Sequence, residues 1–230
     1  MAGPPVAPQH AAVGAPSAWV VRFAALAPPG EVLDLACGSG RHARLFAGIG
    51  HAVLAADRDP LSLLQLRAVA IDAGMAQATI ATMQVDFETP AMPDDAASHA
   101  GSDQHSADDC YWPFAGARFS AIVVTNYLHR PLLPHLVDSL VPGGVLIYET
   151  FAAGNALFGK PSNPAFLLQP GELLDFALQS TPPLRIVAFE DGYVVHPAPA
   201  MVQRLCAIKP GGPVGASSDT DSFPHHQVRL

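Results

Sequence analysis

Asp34-Leu35-Ala36-Cys37-Gly38-Ser39-Gly40-Arg41-His42-Ala43 straddles the end of an apolar run, Val32 to Ala36, and the start of a helical pattern of Ala43, Leu45, Phe46 and Ile49 that stops at Gly50. A short apolar run followed by a glycine turn and a 3.6-residue pattern reads as strand, turn, helix. Glycines at such a turn permit a tight backbone and let a ligand approach main-chain amides beside a helix N-terminus. The turn therefore predicts a nucleotide-like ligand. Taken alone, Gly38-x-Gly40-x-x-Ala43 also fits the dinucleotide fingerprint, whose helix start receives a pyrophosphate.

Two carboxylates bear on that choice. Asp34 stands four residues before Gly38, where it would repel a pyrophosphate but can accept hydrogen bonds from a cationic amino group. An amino-acid-bearing cofactor fits it better. Asp57 ends the next apolar run, 17 residues after Gly40, where a carboxylate can accept both hydroxyls of a ribose. It suits either kind of nucleoside.

Outward from the turn, the same unit repeats. Ala52 to Ala56 reads as a buried strand, Pro60 opens a helix carrying Leu61, Leu64, Leu66, Val69 and Ile71, and Ala78 to Val85 reads as a third strand. Phe119 to Thr125 is a fourth, Pro131 to Leu140 a helix with Leu132, Leu133, Leu136 and Leu140 inward, and Val145 to Thr150 a fifth. Alternation of this kind predicts a parallel sheet. Upstream, Ser17 is an N-cap candidate for a helix with Trp19, Val20, Phe23 and Leu26 that ends at Pro28, Pro29 and Gly30. Downstream, Gly154 to Pro170 is long for a plain connection and predicts a cover over a site; a helix at Gly171 to Leu178 follows. Leu184 to Phe189 and Met201 to Ile208 then predict an antiparallel pair. The expected organisation is a flexible N-terminus at 1–16, one domain at 17–209 and a disordered tail at 210–230.

Composition narrows the class. The chain has 230 residues, 50% hydrophobic and 14% charged, which suits one globular core and excludes disorder throughout. Its formal charge is -8, which opposes attraction to phosphate backbones and argues against nucleic acid. Five of the acids (Asp94, Asp95, Asp103, Asp108, Asp109) lie in an insert at 91–111 that holds no Lys or Arg, so the acidity is mostly local. Cys37, Cys110 and Cys206 are odd in number and far apart, without zinc spacing or a disulfide pattern, which fits a reducing compartment and no metal. The most apolar early run, Ala18 to Ala27, is interrupted by Arg22 and too short to span a bilayer. A cytoplasmic protein with no membrane contact is expected.

Asp34 to Gly40, Ala55-Ala-Asp57-Arg-Asp-Pro60, Val85-Asp86-Phe87 and Leu140-Val-Pro-Gly-Gly-Val-Leu-Ile147 together resemble the class I S-adenosylmethionine-dependent methyltransferases over roughly residues 17 to 209. The Pro142-Gly143-Gly144 turn is the most specific of these pieces, having no role in the dinucleotide fingerprint. Cys37 to Arg41 and Phe166 to Leu173 look most like the tellurite-resistance-like branch of small methyltransferases. The resemblance implies a Rossmann-like, doubly wound α/β fold with a mostly parallel seven-stranded sheet and a C-terminal antiparallel strand. It also implies S-adenosylmethionine as cofactor and a small-molecule O, N or S nucleophile, with Te or Se included, as methyl acceptor. Gly38 and Gly40 would then face the methionine moiety with Cys37 as a small packing residue, Asp57 with neighbouring Arg58 the ribose, Asp86 the adenine amino group and Phe87 its ring. Asn126 to Leu128 would lie on the sulfonium side, and Arg41 could meet the cofactor carboxylate or an anionic substrate.

Three residues are candidates for catalysis. His129 follows the fourth strand with a pKa suited to taking a proton from an acceptor, and Tyr127 and Glu149 stand at strand ends where each could orient one. Equally, the three could only stabilise loops. The competing functions are a nicotinamide-dependent oxidoreductase, against which Asp34 and the Pro-Gly-Gly turn argue, a methyltransferase acting on protein or RNA, and a non-catalytic cofactor-binding protein.

Overall fold

A computed structural model describes residues 14–75, 79–89 and 110–211. The tail at 212–230, the first 13 residues and most of the acidic insert lie outside the described residues, so the expectations for them are not addressed by the structure. Seven strands form one sheet: β1 Glu31–Leu35, β2 Ala52–Asp57, β3 Ile80–Gln84, β4 Phe119–Thr125, β5 Leu140–Phe151, β6 Arg185–Val194 and β7 Ala200–Ile208. Their order is β3-β2-β1-β4-β5-β7-β6. All neighbours are parallel except at β7, which runs antiparallel to both β5 and β6. The predicted doubly wound sheet with one reversed C-terminal strand is the sheet observed.

Strand alternation divides the core into two layers. Val32, Val53, Ala55, Ala121, Val123, Val145 and Ile147 point to one face, where α1 (Ala18–Phe23), α2 (Arg41–Gly48) and α3 (Pro60–Asp72) cover them with Trp19, Val20, Phe46 and Leu66. Leu33, Leu35, Ile122, Val124, Leu146 and Tyr148 point to the other, against α4 (Leu133–Ser139) and α5 (Glu172–Gln179). Ser17 caps α1 by accepting the Trp19 N–H at 3.1 Å, as its position before an apolar helix predicts. Leu132, Leu133, Leu136 and Leu140 are all buried as expected.

The third helix differs from expectation in its face. Of its apolar side chains Leu63 and Leu66 are buried, whereas Leu61, Leu64 and Ile71 are exposed. Apolar residues run all round this helix, so periodicity could not choose a side; contact with β2 and β3 did. Leu66 has a special task there. Gly40, which precedes α2 with φ +72°, lies so close that a Cβ on it would clash with the Leu66 side chain. Winding reverses between β1 and β4, which opens a crevice at the C-terminal ends of those strands. The glycine turn sits on that crevice.

A methyl group at position 40 must therefore bear left-handed strain of about 1–2 kcal/mol and overpacking against a buried leucine of about 1–3 kcal/mol. Gly40→Ala is expected to lower unfolding free energy by about 2–4 kcal/mol in urea titrations; a loss of only about 1 kcal/mol would show that Leu66 moves aside and leaves the backbone strain alone, and a change below about 0.5 kcal/mol would contradict both effects.

Candidate functional site

At the carboxyl edge of the sheet lies a cavity of about 800 Å3, a size ordinary for a small-molecule site. Five successive strand ends contribute to it. Val85 to Glu88 come from β3, Asp57 and Arg58 from β2, Ala36 to Ser39 and Arg41 from the β1 turn and α2, Thr125 to Leu128 from β4, and Thr150 and Phe151 from β5. Pro161 and Phe166, from the Gly154 to Pro170 connection, line it as well, and so does Gly14.

The turn after β1 is held from several directions. Gly38 N–H donates to Asp57 Oδ2 at 2.7 Å, and Cys37 N–H to the Ala56 carbonyl at 3.1 Å, so the turn is tied to the end of β2. Arg44 donates to the Ser39 carbonyl at 2.7 Å. Gly38 itself has φ +53°, and a Cβ placed on it would meet nothing within 4 Å. Nothing in the protein's own packing requires that face to be bare. Asp57 also accepts the Asp59 N–H at 2.9 Å, and its carboxylate retains further lone pairs. Asp86 accepts the Glu88 N–H through Oδ1 at 3.0 Å while Phe87 is buried beside it.

Ionic character is unevenly spread along the edge. Asp57, Arg58, Asp86, Glu88 and Arg41 belong to the β3-β2-β1 side, whereas the described residues that line the cavity from β4, β5 and the cover are neutral. Tyr127 stands between the two, its phenol pushed up by burial and by the nearby Glu88 and Asp86 carboxylates. It is a donor at neutral pH. The loop that carries it bends because Asn126 adopts a left-handed φ of +56°, and Tyr148 Oη holds the Tyr127 carbonyl at 2.9 Å.

Not every sequence candidate reaches this cavity. Cys37, Gly38, Arg41, Asp57, Arg58, Asp86, Phe87, Asn126, Tyr127 and Leu128 line it; Asp34, Gly40, His129 and Glu149 do not. Asp34 is buried behind the turn, where Oδ2 accepts the Ala43 N–H at 2.8 Å. Burial raises its pKa to about 7 against the opposing effect of that bond. Gly40 faces Leu66. His129 precedes the short 3-10 turn Arg130–Leu132. Glu149 points the other way from Thr150, into a buried polar cluster: Ser17 Oγ donates to it at 3.0 Å and Arg204 Nε lies 2.8 Å away. That last contact is an ion pair without hydrogen-bond alignment, since the Arg204 Nε–H finds no acceptor among the described residues. The Cys37 thiol is pushed up by burial and by Asp34, which keeps it from acting as a thiolate.

The sequence reading missed His42 and Thr125. His42 is buried in the first turn of α2; its Nε2 accepts the Ser17 N–H at 3.1 Å and its Nδ1 lies 3.4 Å from Thr125 Oγ1. Burial lowers its pKa to about 3, with Arg41 and Arg44 adding to the shift. No sequence signal marked it, because both partners are remote in the chain. Pro161 and Phe166 were signalled only through the length of the segment that carries them. That segment is fastened from inside: Asn155 Nδ2 donates to the Pro161 carbonyl at 3.0 Å, and Arg130 reaches the Ala165 and Leu167 carbonyls and Glu172.

No protein-family model matches the sequence, and no curated protein matches it. Solved structures do share its architecture. TehB from Haemophilus influenzae superposes with a TM-score of 0.60 at 18% identity over 83% of this chain and 61% of that one, so this chain spans less than two thirds of TehB. An S-adenosylmethionine dependent methyltransferase from Mesorhizobium loti gives 0.57 at 16% identity, covering 84% and 98% of the two chains. The fold is that of the S-adenosylmethionine-dependent methyltransferases. The [4+2]-cyclase SpnF, at 0.57 and 14% identity over 84% of this chain and 80% of its own, shares the methyltransferase fold too. Among the described residues no helix is long and apolar enough to cross a membrane.

The two buried titratable groups beside the turn give opposite pH dependences. With its pKa raised to about 7, Asp34 takes up a proton on folding between about pH 4 and 7, so its contribution is present at low pH and lost as pH rises through that window. With its pKa lowered to about 3, His42 does the reverse: the unfolded chain gains the proton below about pH 6.5, and stability is lost as pH falls. Relative to wild type, Asp34→Asn is expected to gain stability from about pH 4 to 8 and His42→Asn from about pH 8 to 4. Urea unfolding at several pH values checks this, and curves parallel to wild type would contradict it.

Proposed function

We propose that the protein is an S-adenosylmethionine-dependent methyltransferase that transfers the methyl group to a small-molecule nucleophile. The observation that carries this reading is the alignment of three ligand-facing groups on adjacent strand ends around one cavity: the Gly38 turn, Asp57, and Asp86 with Phe87. These residues fit the cofactor. The open face of Gly38 leaves room for an amino-acid chain against the backbone, the spare lone pairs of Asp57 suit two ribose hydroxyls, and Phe87 offers an aromatic surface beside Asp86 for a base. A bound cofactor would supply an electrophilic methyl on a sulfonium.

The chain's own contribution is then geometric and electrostatic. Asp57 and Asp86 hold the nucleoside on the ionic side, while Asn126 to Leu128, Thr150, Phe151, Pro161 and Phe166 enclose the neutral side and exclude water from it. Holding two reactants in line supplies much of the acceleration such a transfer needs. Tyr127, protonated at neutral pH, serves as a donor that orients an acceptor and not as a base. Glu149 is occupied by Ser17 and Arg204, and His129 does not line the cavity, which leaves neither in a position to take the acceptor's proton. The volume and the cover favour a small molecule over a macromolecule as acceptor.

SpnF, a cyclase, shares the fold, so cofactor binding and methyl transfer need separate measurements. Calorimetric titration is expected to show saturable binding of S-adenosylmethionine and S-adenosylhomocysteine but not NAD. Asp57→Ala should weaken both about tenfold or more, because hydrogen bonds to a charged group each contribute about 1.5–3 kcal/mol. Transfer of labelled methyl to a metabolite extract then tests the reaction. Binding of NAD alone would replace this reading with a nicotinamide-dependent one.

A further inference from the structure

The Ser17 N–H can only donate, so the His42 Nε2 that receives it carries no proton. The ring is neutral, because its buried site penalises the charged form. Its single proton is therefore on Nδ1, and Nδ1–H donates to Thr125 Oγ1. With that lone pair taken, the Thr125 hydroxyl has its own hydrogen left to give, and among the described residues no acceptor receives it. Thr125 lines the cavity. A ring nitrogen that could have taken the threonine's hydrogen is thus itself a donor, and that hydrogen stays available to a ligand in the cavity.

Sheet order says which end of a ligand it meets. Asp86 and Phe87 stand at the end of β3, Asp57 at β2, the Gly38 turn at β1 and Thr125 at β4, four neighbours in sequence across the edge. At about 4.8 Å per strand they span roughly 14 Å. A nucleoside with its base at β3 and ribose at β2 leaves its amino-acid arm over β1 and β4. There the arm meets Thr125 and Arg41, the residue before His42.

We propose that His42 is a positioning residue which, anchored by the Ser17 backbone, fixes the Thr125 hydroxyl as a donor to the carboxylate of the cofactor's amino-acid arm. This rests on the reading of the cavity as an adenosyl-cofactor site. It adds a role for the N-terminal segment, since Ser17 sets the tautomer from outside the cavity, and it distinguishes the carboxylate from the acceptor molecule as the group that Thr125 serves.

The test compares S-adenosylhomocysteine with 5′-methylthioadenosine, which lacks the amino-acid arm, by calorimetry. Thr125→Val is nearly isosteric and is expected to weaken S-adenosylhomocysteine about tenfold while leaving methylthioadenosine within about twofold; Thr125→Ser should restore the first. His42→Gln keeps an acceptor for the Ser17 N–H but has no donor at Nδ1, and should lower the same affinity ratio about fivefold. His42→Asn keeps the donor and should hold the ratio near wild type. Independently of any ligand, long-range 1H–15N spectra of labelled protein are expected to show His42, identified by its loss in His42→Gln, as the Nδ1–H tautomer. An Nε2–H ring, or a ratio unmoved in Thr125→Val, overturns the inference while the cofactor reading stands. If wild type binds neither nucleoside, the cofactor reading itself falls and this inference with it.

Discussion

A main-chain amide on one strand's turn, Gly38, is held at 2.7 Å by the carboxylate that ends the next strand, Asp57. On this contact the rest of the site depends. It fixes how far the β1 turn stands from β2, and with the Cys37 bond to the Ala56 carbonyl it keeps the turn open toward the cavity. A charge-assisted bond of this kind is stronger than a neutral one and directional, so the turn is shaped before any ligand arrives. The same carboxylate keeps its remaining lone pairs at the cavity wall. One side chain thus both ties the turn and lines the cavity.

Behind the turn, two polar groups sit in places where charge is expensive. Asp34 accepts a helix N–H and His42 links a backbone amide to a hydroxyl. Both are buried, and each has its pKa moved toward the neutral form. Burial disfavours charge on both groups, which lessens any competing ion beneath a ligand on the turn. Arg204 and Glu149 lie nearby as an ion pair that faces across antiparallel strands, with Ser17 completing the cluster.

How much of this was legible in the sequence follows from range. β4 was read at its observed ends because a continuous apolar run needs no outside information. Asp57 was legible for the same reason, since it terminates the apolar run of β2, whereas Asp86 follows the mixed, half-buried β3. Glu149 looked equivalent, yet its side chain faces α1 and Arg204 because β7 pairs with β5 in that register, 55 residues of chain away. Strand alternation then hands the cavity to Thr150. His42 escaped notice because its meaning lies in Ser17 and Thr125, separated from it by 25 and 83 residues. α3 failed differently, since apolar residues on every side carry no direction until the sheet supplies one.

The packing of Gly40 on Leu66 joins two things usually kept apart. α3 packs Leu66 where a side chain at position 40 would lie, so the seating of the helix and the shape of the turn constrain one another. In the language of local unfolding, opening of α3 and loss of the turn belong to one cooperative unit. A ligand gripping the turn would therefore slow amide exchange along a helix it never touches, and the leucines on that helix help set an affinity to which they contribute no contact.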